Sequence, residues 1–195
     1  MLRRLVALMV LLALVLAPAA LSATVNIRVE GKTQTIFGAS QPTLTADNPL
    51  QALDLASTAG EFFYGTTTAS FGTYVSQIGK YAAGGASGWA FKVNGVSPPV
   101  GADQVALKDG DVVLWYWATF GTAGGPPTLE LQRLPGNCYV VDSVTDAGKR
   151  ARAANATLTA DGKRVRTRSG RACIGRHVGL VRATAPGAVR SNAMR

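Results

Sequence analysis

The chain has 195 residues, 47% hydrophobic and 16% charged, with 20 Lys and Arg against 11 Asp and Glu for a net charge of +9. That apolar fraction is enough for a packed core and excludes a wholly disordered or fibrous protein. One histidine (His177), two cysteines (Cys138 and Cys173) and 11 carboxylates leave little material for acid-base, nucleophilic or metal chemistry, so most enzyme classes are disfavoured.

Residues 1–23 read as a secretory signal peptide. Arg3 and Arg4 form a positive start, residues 5–16 are an unbroken apolar run, and small residues around Pro18 follow, with cleavage expected after Ala19 or Ser22. Pro18 interrupts the run before it reaches the roughly 20 apolar residues of a membrane span, so no transmembrane span is expected after cleavage. The cleavage region contains no cysteine, so a lipoprotein anchor is not expected. The mature chain is therefore expected to be secreted or extracytoplasmic.

Charge divides the mature sequence. Residues 24–127 carry five basic and seven acidic side chains, whereas residues 128–195 carry thirteen and four. Such asymmetry predicts two units with different surfaces, 24–120 and 128–195, joined by a Gly- and Pro-rich linker at 121–127.

In the first unit, Val25, Ile27 and Val29 alternate with Asn26, Arg28 and Glu30, which predicts a half-buried strand with its polar face outward. Gly31 turns the chain, and residues 33–37 are rich in strand formers, which predicts a hairpin. Asn48 can cap a helix whose first residue is Pro49, since proline has no N–H to leave unbonded. Leu50, Leu53 and Ala56 follow at helical spacing, with Gly60 as the stop. Residues 71–78 read as a further strand and 81–87 as a flexible loop. Trp89, Phe91 and Val93 then alternate with Ala90 and Lys92, and Asn94-Gly95 supplies a tight turn. A second turn at Lys108-Asp109-Gly110-Asp111 precedes Val113, Trp115 and Trp117. The intervening residues Val112, Leu114 and Tyr116 are apolar too, so this strand is expected to be covered on both faces.

Phe71-Gly72-Thr73-Tyr74, Gly88-Trp89-Ala90-Phe91-Lys92-Val93-Asn94-Gly95, Gly101-Ala102 and Leu107-Lys108-Asp109-Gly110-Asp111 with Trp115-Tyr116 resemble, in order and spacing, the transcobalamin C-terminal-like domain of exported bacterial proteins. The resemblance spans residues 24–120. It implies a β-grasp fold, a curved sheet holding one helix, and a corrinoid or other amphipathic small ligand. In animal vitamin carriers a similar domain closes over one face of cobalamin while a helical domain holds the other face, and no such helical domain is legible here. Trp89, Asn94, Gly95, Gly110 and Asp111 match positions that build turns and core. Trp89, Trp115 and Trp117 are read as core before ligand contact. The candidate ligand-binding residues are Tyr74, Tyr81, Tyr116 and Phe120, on loops or on the opposite strand face.

The second unit is small for a lone core. In an exported chain Cys138 and Cys173 are read as a structural disulfide, which stabilises by roughly 3 to 4 kcal/mol through loop closure. A zinc site would need further ligands and another spacing, so no metal is expected. Short alternating pieces at 138–141, 154–158, 165–167, 172–174 and 178–183 are separated by turns at Asp146-Ala147-Gly148, Asp161-Gly162, Ser169-Gly170 and Pro186-Gly187, the rhythm of a small β-sandwich. The turn pattern is loosely similar to transthyretin-like or carboxypeptidase-regulatory accessory modules. The expected fold class is thus mainly β (α+β): a β-grasp domain with one helix, followed by a small disulfide-linked β-sandwich-like domain.

Arg164, Arg166 and Arg168 should point one way from a strand, and with Lys149, Arg150, Arg152, Lys163, Arg171, Arg176 and Arg182 they could form a surface for anionic cell-envelope polymer or remain a solvated face. Nucleic acid is not expected, because this half has few aromatics for base stacking. No Gly-x-Ser-x-Gly, His-Glu-x-x-His or phosphate-loop motif occurs, and Asp109 and Asp111 are better read as a turn than as a glycosidase pair. No catalytic residue and no bound cofactor are expected. An exported ligand-binding module, an envelope interaction or adhesion protein, and a structural spacer remain as function classes.

Overall fold

The computed structural model describes residues 22–70, 72–122 and 124–195. The expected signal segment up to residue 21, and Phe71, lie outside the described residues.

Strand β1 (Ala23–Glu30) and β2 (Thr35–Phe37) form the expected antiparallel hairpin. A third strand not foreseen, β3 (Thr43–Ala46), pairs with the other end of β1. Helix α1 (Pro49–Gly60) starts as its cap chemistry requires, with Asn48 Oδ1 accepting from the Gln51 N–H at 2.9 Å. It ends differently: Glu61 takes the left-handed conformation (φ 51°), and Gly60 is the last helical residue. Glycine is needed at position 60 because a Cβ there would lie 2.7 Å from the Phe37 ring.

After α1 come β4 (Tyr64–Ala69), β5 (Gly72–Ile78), β6 (Tyr81–Ala82), β7 (Ser87–Val93) and β8 (Val112–Thr119). The main sheet has the order β2-β1-β8-β7, with β1 and β8 parallel and β7 antiparallel to β8. Helix α1 buries Ala52, Leu53 and Ala56 against Val25, Ile27, Val29, Val113 and Trp115. Strands β4, β5 and β6 make a separate small sheet that adds Val75 and Ile78 to this core. One helix held by a sheet agrees with the fold expected of this half. The segment expected to be flexible is tied down: Tyr81 and Ala82 pair with β5, and the Trp89 indole N–H donates to the Tyr81 carbonyl at 2.9 Å.

The turn Asn94-Gly95 has the two positive φ angles, 53° and 85°, that a tight hairpin turn demands. Asn94 also reaches across to the second turn, donating to the Asp111 carboxylate at 2.7 Å and accepting from the Val112 N–H at 2.9 Å. Asp109 accepts from the Thr24 N–H at 2.7 Å, so this pair of aspartates is used in turns and strand ends.

The second half contains β9 (Thr128–Leu134), β10 (Cys138–Val144), β11 (Arg150–Arg152), β12 (Thr157–Ala160), β13 (Lys163–Arg166), β14 (Arg171–Cys173) and β15 (Arg182–Thr184). One sheet centres on β10, flanked by β9 on one edge and by β11 and β14 on the other; a second has the order β13-β12-β15. Leu129, Leu131, Tyr139 and Val141 of the first sheet meet Leu158, Ala160 and Ala183 of the second in a sandwich core. Cys138 and Cys173 face each other across β10 and β14 and form the expected disulfide.

The polar face of β1 corrects the sequence reading. It is not solvated: Arg28 is 2% exposed and Glu30 0%. Glu30 accepts from Arg28 of its own strand and from Arg182 and Arg190 of the second half. Arg182 therefore leaves the expected basic surface, and Arg150 and Arg152 pair with Glu130 and Asp142. Strand β8 is covered on both faces as expected, because Leu114, Tyr116 and Ala118 on its outer side pack with Ala90 and Val189. Gly125 and Pro127 are anchored here: the Gly125 N–H donates to Asp146 at 2.9 Å, and the Pro127 carbonyl accepts from the Val189 N–H at 2.9 Å.

Candidate functional site

Strand β7 is an edge of the main sheet, and β5 runs past it without pairing. Between them lies a cleft of about 190 Å³, lined in part by Ser97, Pro98 and Val100. Its walls include Tyr74 and Val75 from β5, Trp89, Ala90 and Phe91 from β7, Trp115 and Tyr116 from β8, then Phe120 and Asp146. Three of the four aromatics proposed from the sequence, Tyr74, Tyr116 and Phe120, are thus brought together. Tyr81 is not; it packs on Trp117 with ring centroids 5.8 Å apart, and its hydroxyl lies 3.1 Å from that of Thr33.

Trp89 and Trp115 serve two purposes. They are core residues, 3% and 2% exposed, and they also line the cleft. Phe91 lies tilted over Trp115 with centroids 5.1 Å apart, so the apolar wall is held by aromatic packing and not by loop residues.

The polar end of the cleft was missed in the sequence. Asp146 reads there as an ordinary turn residue, yet it accepts from the Tyr116 hydroxyl at 3.2 Å, the Ser97 hydroxyl at 3.4 Å and the Gly125 N–H, and pairs with Lys92 at 3.4 Å. Burial pushes its carboxyl upward, but the Gly125 N–H, the Lys92 ammonium and the Tyr116 hydroxyl outweigh that, and it ends below the ordinary aspartate value. Burial lowers the Lys92 ammonium, and Asp146 only partly restores it. Burial also raises the Tyr116 phenol, with the Asp146 charge adding to the rise against a contrary pull from Ser97. Tyr116 therefore stays protonated and donating. The cleft offers an aromatic wall and one ionised carboxylate, Asp146.

Residues 45–119 match the family described as Domain of unknown function (DUF4430). The match runs from β3 through β8 and so takes in most of the cleft wall, but not Phe120 or Asp146. No curated protein matches the chain. Among solved structures, a protein from Ruminococcus gnavus ATCC 29149 whose description proposes metal binding is similar at 14% identity and a TM-score of 0.40, over 51% of this chain and 99% of its own. Among the described residues, no three of His, Cys, Asp and Glu gather as metal ligands, and no helix is long and apolar enough to cross a membrane.

A second feature lies in the second half, between β13 of one sandwich sheet and β14 of the other. Arg164, Arg166, Arg168 and Arg171 line a groove of about 590 Å³. All four are exposed, and among the described residues none forms an ion pair. Of the expected stripe, Arg164 and Arg166 lie on β13 with Val165 between them packed on the sandwich core, whereas Arg168 falls past the end of the strand and bridges to Arg171.

Proposed function

We propose that the chain is an exported, non-enzymatic binding module that takes an amphipathic small ligand in the cleft between β5 and β7. The observation that carries this reading is the convergence of Tyr74, Phe91, Trp89, Trp115 and Phe120 beside one ionised acceptor, Asp146. Apolar walls with few, well-placed polar groups are what small-ligand sites share. At about 190 Å³ the cleft is smaller than the roughly 300 Å³ at which drug-sized pockets begin, so it would seat the edge of a ligand and leave the rest outside. A corrinoid, the ligand implied by the transcobalamin-like resemblance, suits that mode: amides on its rim are donors of the kind Asp146 accepts. With one edge buried, affinity should be of about micromolar order.

Trp89 and Trp115 on the cleft wall make the test optical. Cobalamin and cobinamide are titrated into the full mature chain, with correction for ligand absorbance, and a saturable change in Trp fluorescence is expected. Gly88→Ala should weaken it several-fold, because its Cβ would press on the Tyr74 hydroxyl. An unchanged spectrum up to millimolar ligand removes the corrinoid.

The unpaired arginines of the β13–β14 groove favour a second reading, contact with an anionic cell-envelope polymer. Retention of the chain on such polymer should fall steeply with salt and be lost on changing Arg164, Arg166 and Arg168 to Gln. Retention unaffected by either change leaves the groove a solvated face.

A further inference from the structure

Where the two halves meet, a cavity of about 230 Å³ is enclosed by Arg28, Lys92 and Leu114 on one side and by Thr128, Glu130, Gln132 and Arg150 on the other. It is separate from the aromatic cleft, sharing no lining residue with it. Exposed Asn94, Gln132 and Arg150 mark its mouth, while Arg28 and Lys92 at its back are 2% and 0% exposed.

Charge around this seam does not balance. Five cations, Arg28, Lys92, Arg150, Arg182 and Arg190, share three carboxylates, Glu30, Glu130 and Asp146. Arg182 and Arg190 reach water, with side chains 20% and 19% exposed, but Arg28 does not. The Arg28 guanidinium makes its hydrogen bonds through Nη1 alone, to Glu30 at 3.3 Å and to the Arg190 carbonyl at 2.7 Å. Its Nε is enclosed and has no partner among the described residues. Nη2 also makes no hydrogen bond among the described residues, and a buried guanidinium short of acceptors is costly, a cost that a charge-assisted hydrogen bond from Nη2 to an anion's oxygen relieves in part. Burial correspondingly depresses Arg28 to about 10, despite the nearby Glu30 charge.

We propose that this cavity is a seat for a small oxyanion, a carboxylate or phosphate group, held by the free Nη2 of Arg28 with Lys92 behind it. Lys92 contributes mainly as charge, since its ammonium is already committed to the Val144 carbonyl at 3.0 Å, Thr128 at 3.3 Å and Asp146. Glu130 opposes the anion, but Arg150 holds its carboxylate in a two-point pair and offsets it. The occupant would offset part of the excess positive charge at the seam and so stabilise the fold.

The full mature chain is melted in phosphate, acetate and chloride at equal ionic strength and pH. Phosphate or acetate should raise the midpoint over chloride, by roughly 5–10 °C at a hundredfold excess over the dissociation constant. A rise with phosphate alone assigns the seat to phosphate, and a rise with both assigns it to carboxylates as well. Arg28→Lys, which removes the planar fork, and Gln132→Glu, which puts a carboxylate at the cavity mouth, should each abolish the rise; Gln132→Glu leaves Arg28 intact if the lysine variant fails to fold. Changing Arg164, Arg166 and Arg168 together to Gln should leave it in place. Equal midpoints in the three salts, a rise that survives Gln132→Glu, or one lost in the triple variant would each overturn the proposal.

Discussion

Asp146 and Lys92 form an unequal pair: the lysine side chain is fully buried, whereas 34% of the aspartate side chain reaches water. Removing one partner therefore does not cost the same as removing the other. Asp146→Asn leaves a buried ammonium with neutral acceptors only, Val144 and Thr128, and should cost about 3 kcal/mol, toward the low end for a broken buried pair because the carboxylate is partly hydrated. Lys92→Met leaves a carboxylate that can turn to water and should cost about 1 kcal/mol or less. The pH dependence has a definite sign. Because Asp146 lies below its ordinary value in the fold, its contribution is complete above an unfolded pKa of about 4 and is lost as pH falls through the lower folded value. Asp103 and Asp161 are shifted the same way and give both proteins a common acid slope. Urea midpoints measured from pH 5 down to pH 2 should converge for wild type and Asp146→Asn at the acid end. Parallel profiles would show that Asp146 contributes no charge-dependent stability.

Turns show how an element can be strained by backbone, by neighbours, or by both. Gly95 and Gly110 have nearly the same positive φ, 85° and 84°. Around Gly110 there is open space, so Gly110→Ala meets only the backbone penalty of roughly 1–2 kcal/mol. A Cβ on Gly95 would also press within 3.2 Å of Glu130 and Val144 and 3.3 Å of Arg150. Gly95→Ala should consequently lose clearly more stability than Gly110→Ala in denaturant unfolding. Equal losses would mean that the turn does not bear on the seam.

At the scale of the whole molecule, Glu30 is a single buried carboxylate that joins three guanidinium groups from two halves. Glu30→Gln leaves all three without their anion, and the expected loss is about 3–5 kcal/mol. For a chain of this size that lowers the melting midpoint by roughly 6–20 °C. Wild type should melt in one calorimetric transition that coincides with the Trp fluorescence change, which reports the first half because Trp89, Trp115 and Trp117 all lie there. In Glu30→Gln the two signals should separate. A shift under one degree, with the signals still coincident, would show that burial of Leu114, Tyr116 and Ala118 holds the halves together without the ion network.

Features whose cause is local were legible in the sequence. Asn48-Pro49 start a helix through a side-chain acceptor and a missing N–H, Asn94-Gly95 turn the chain through tolerated φ angles, and the β1–β2 and sandwich turns follow from the same chemistry. Strands β3 and β4 were not legible, because β3 is only four residues long and the glycine- and threonine-rich β4 has weak alternation; they form by pairing with β1 and β5. Apolar aromatics could be picked as candidates, but which of them share a cleft depends on β5 passing the free edge of β7. The polar face of β1 shows the limit most clearly. Arg28 and Glu30 look solvent-facing beside their neighbours in sequence, and they are buried because Arg182 and Arg190 arrive from more than 150 positions away to share the Glu30 charge. A charged side chain can be buried only where its partner is, and that partner is brought into place by the tertiary fold.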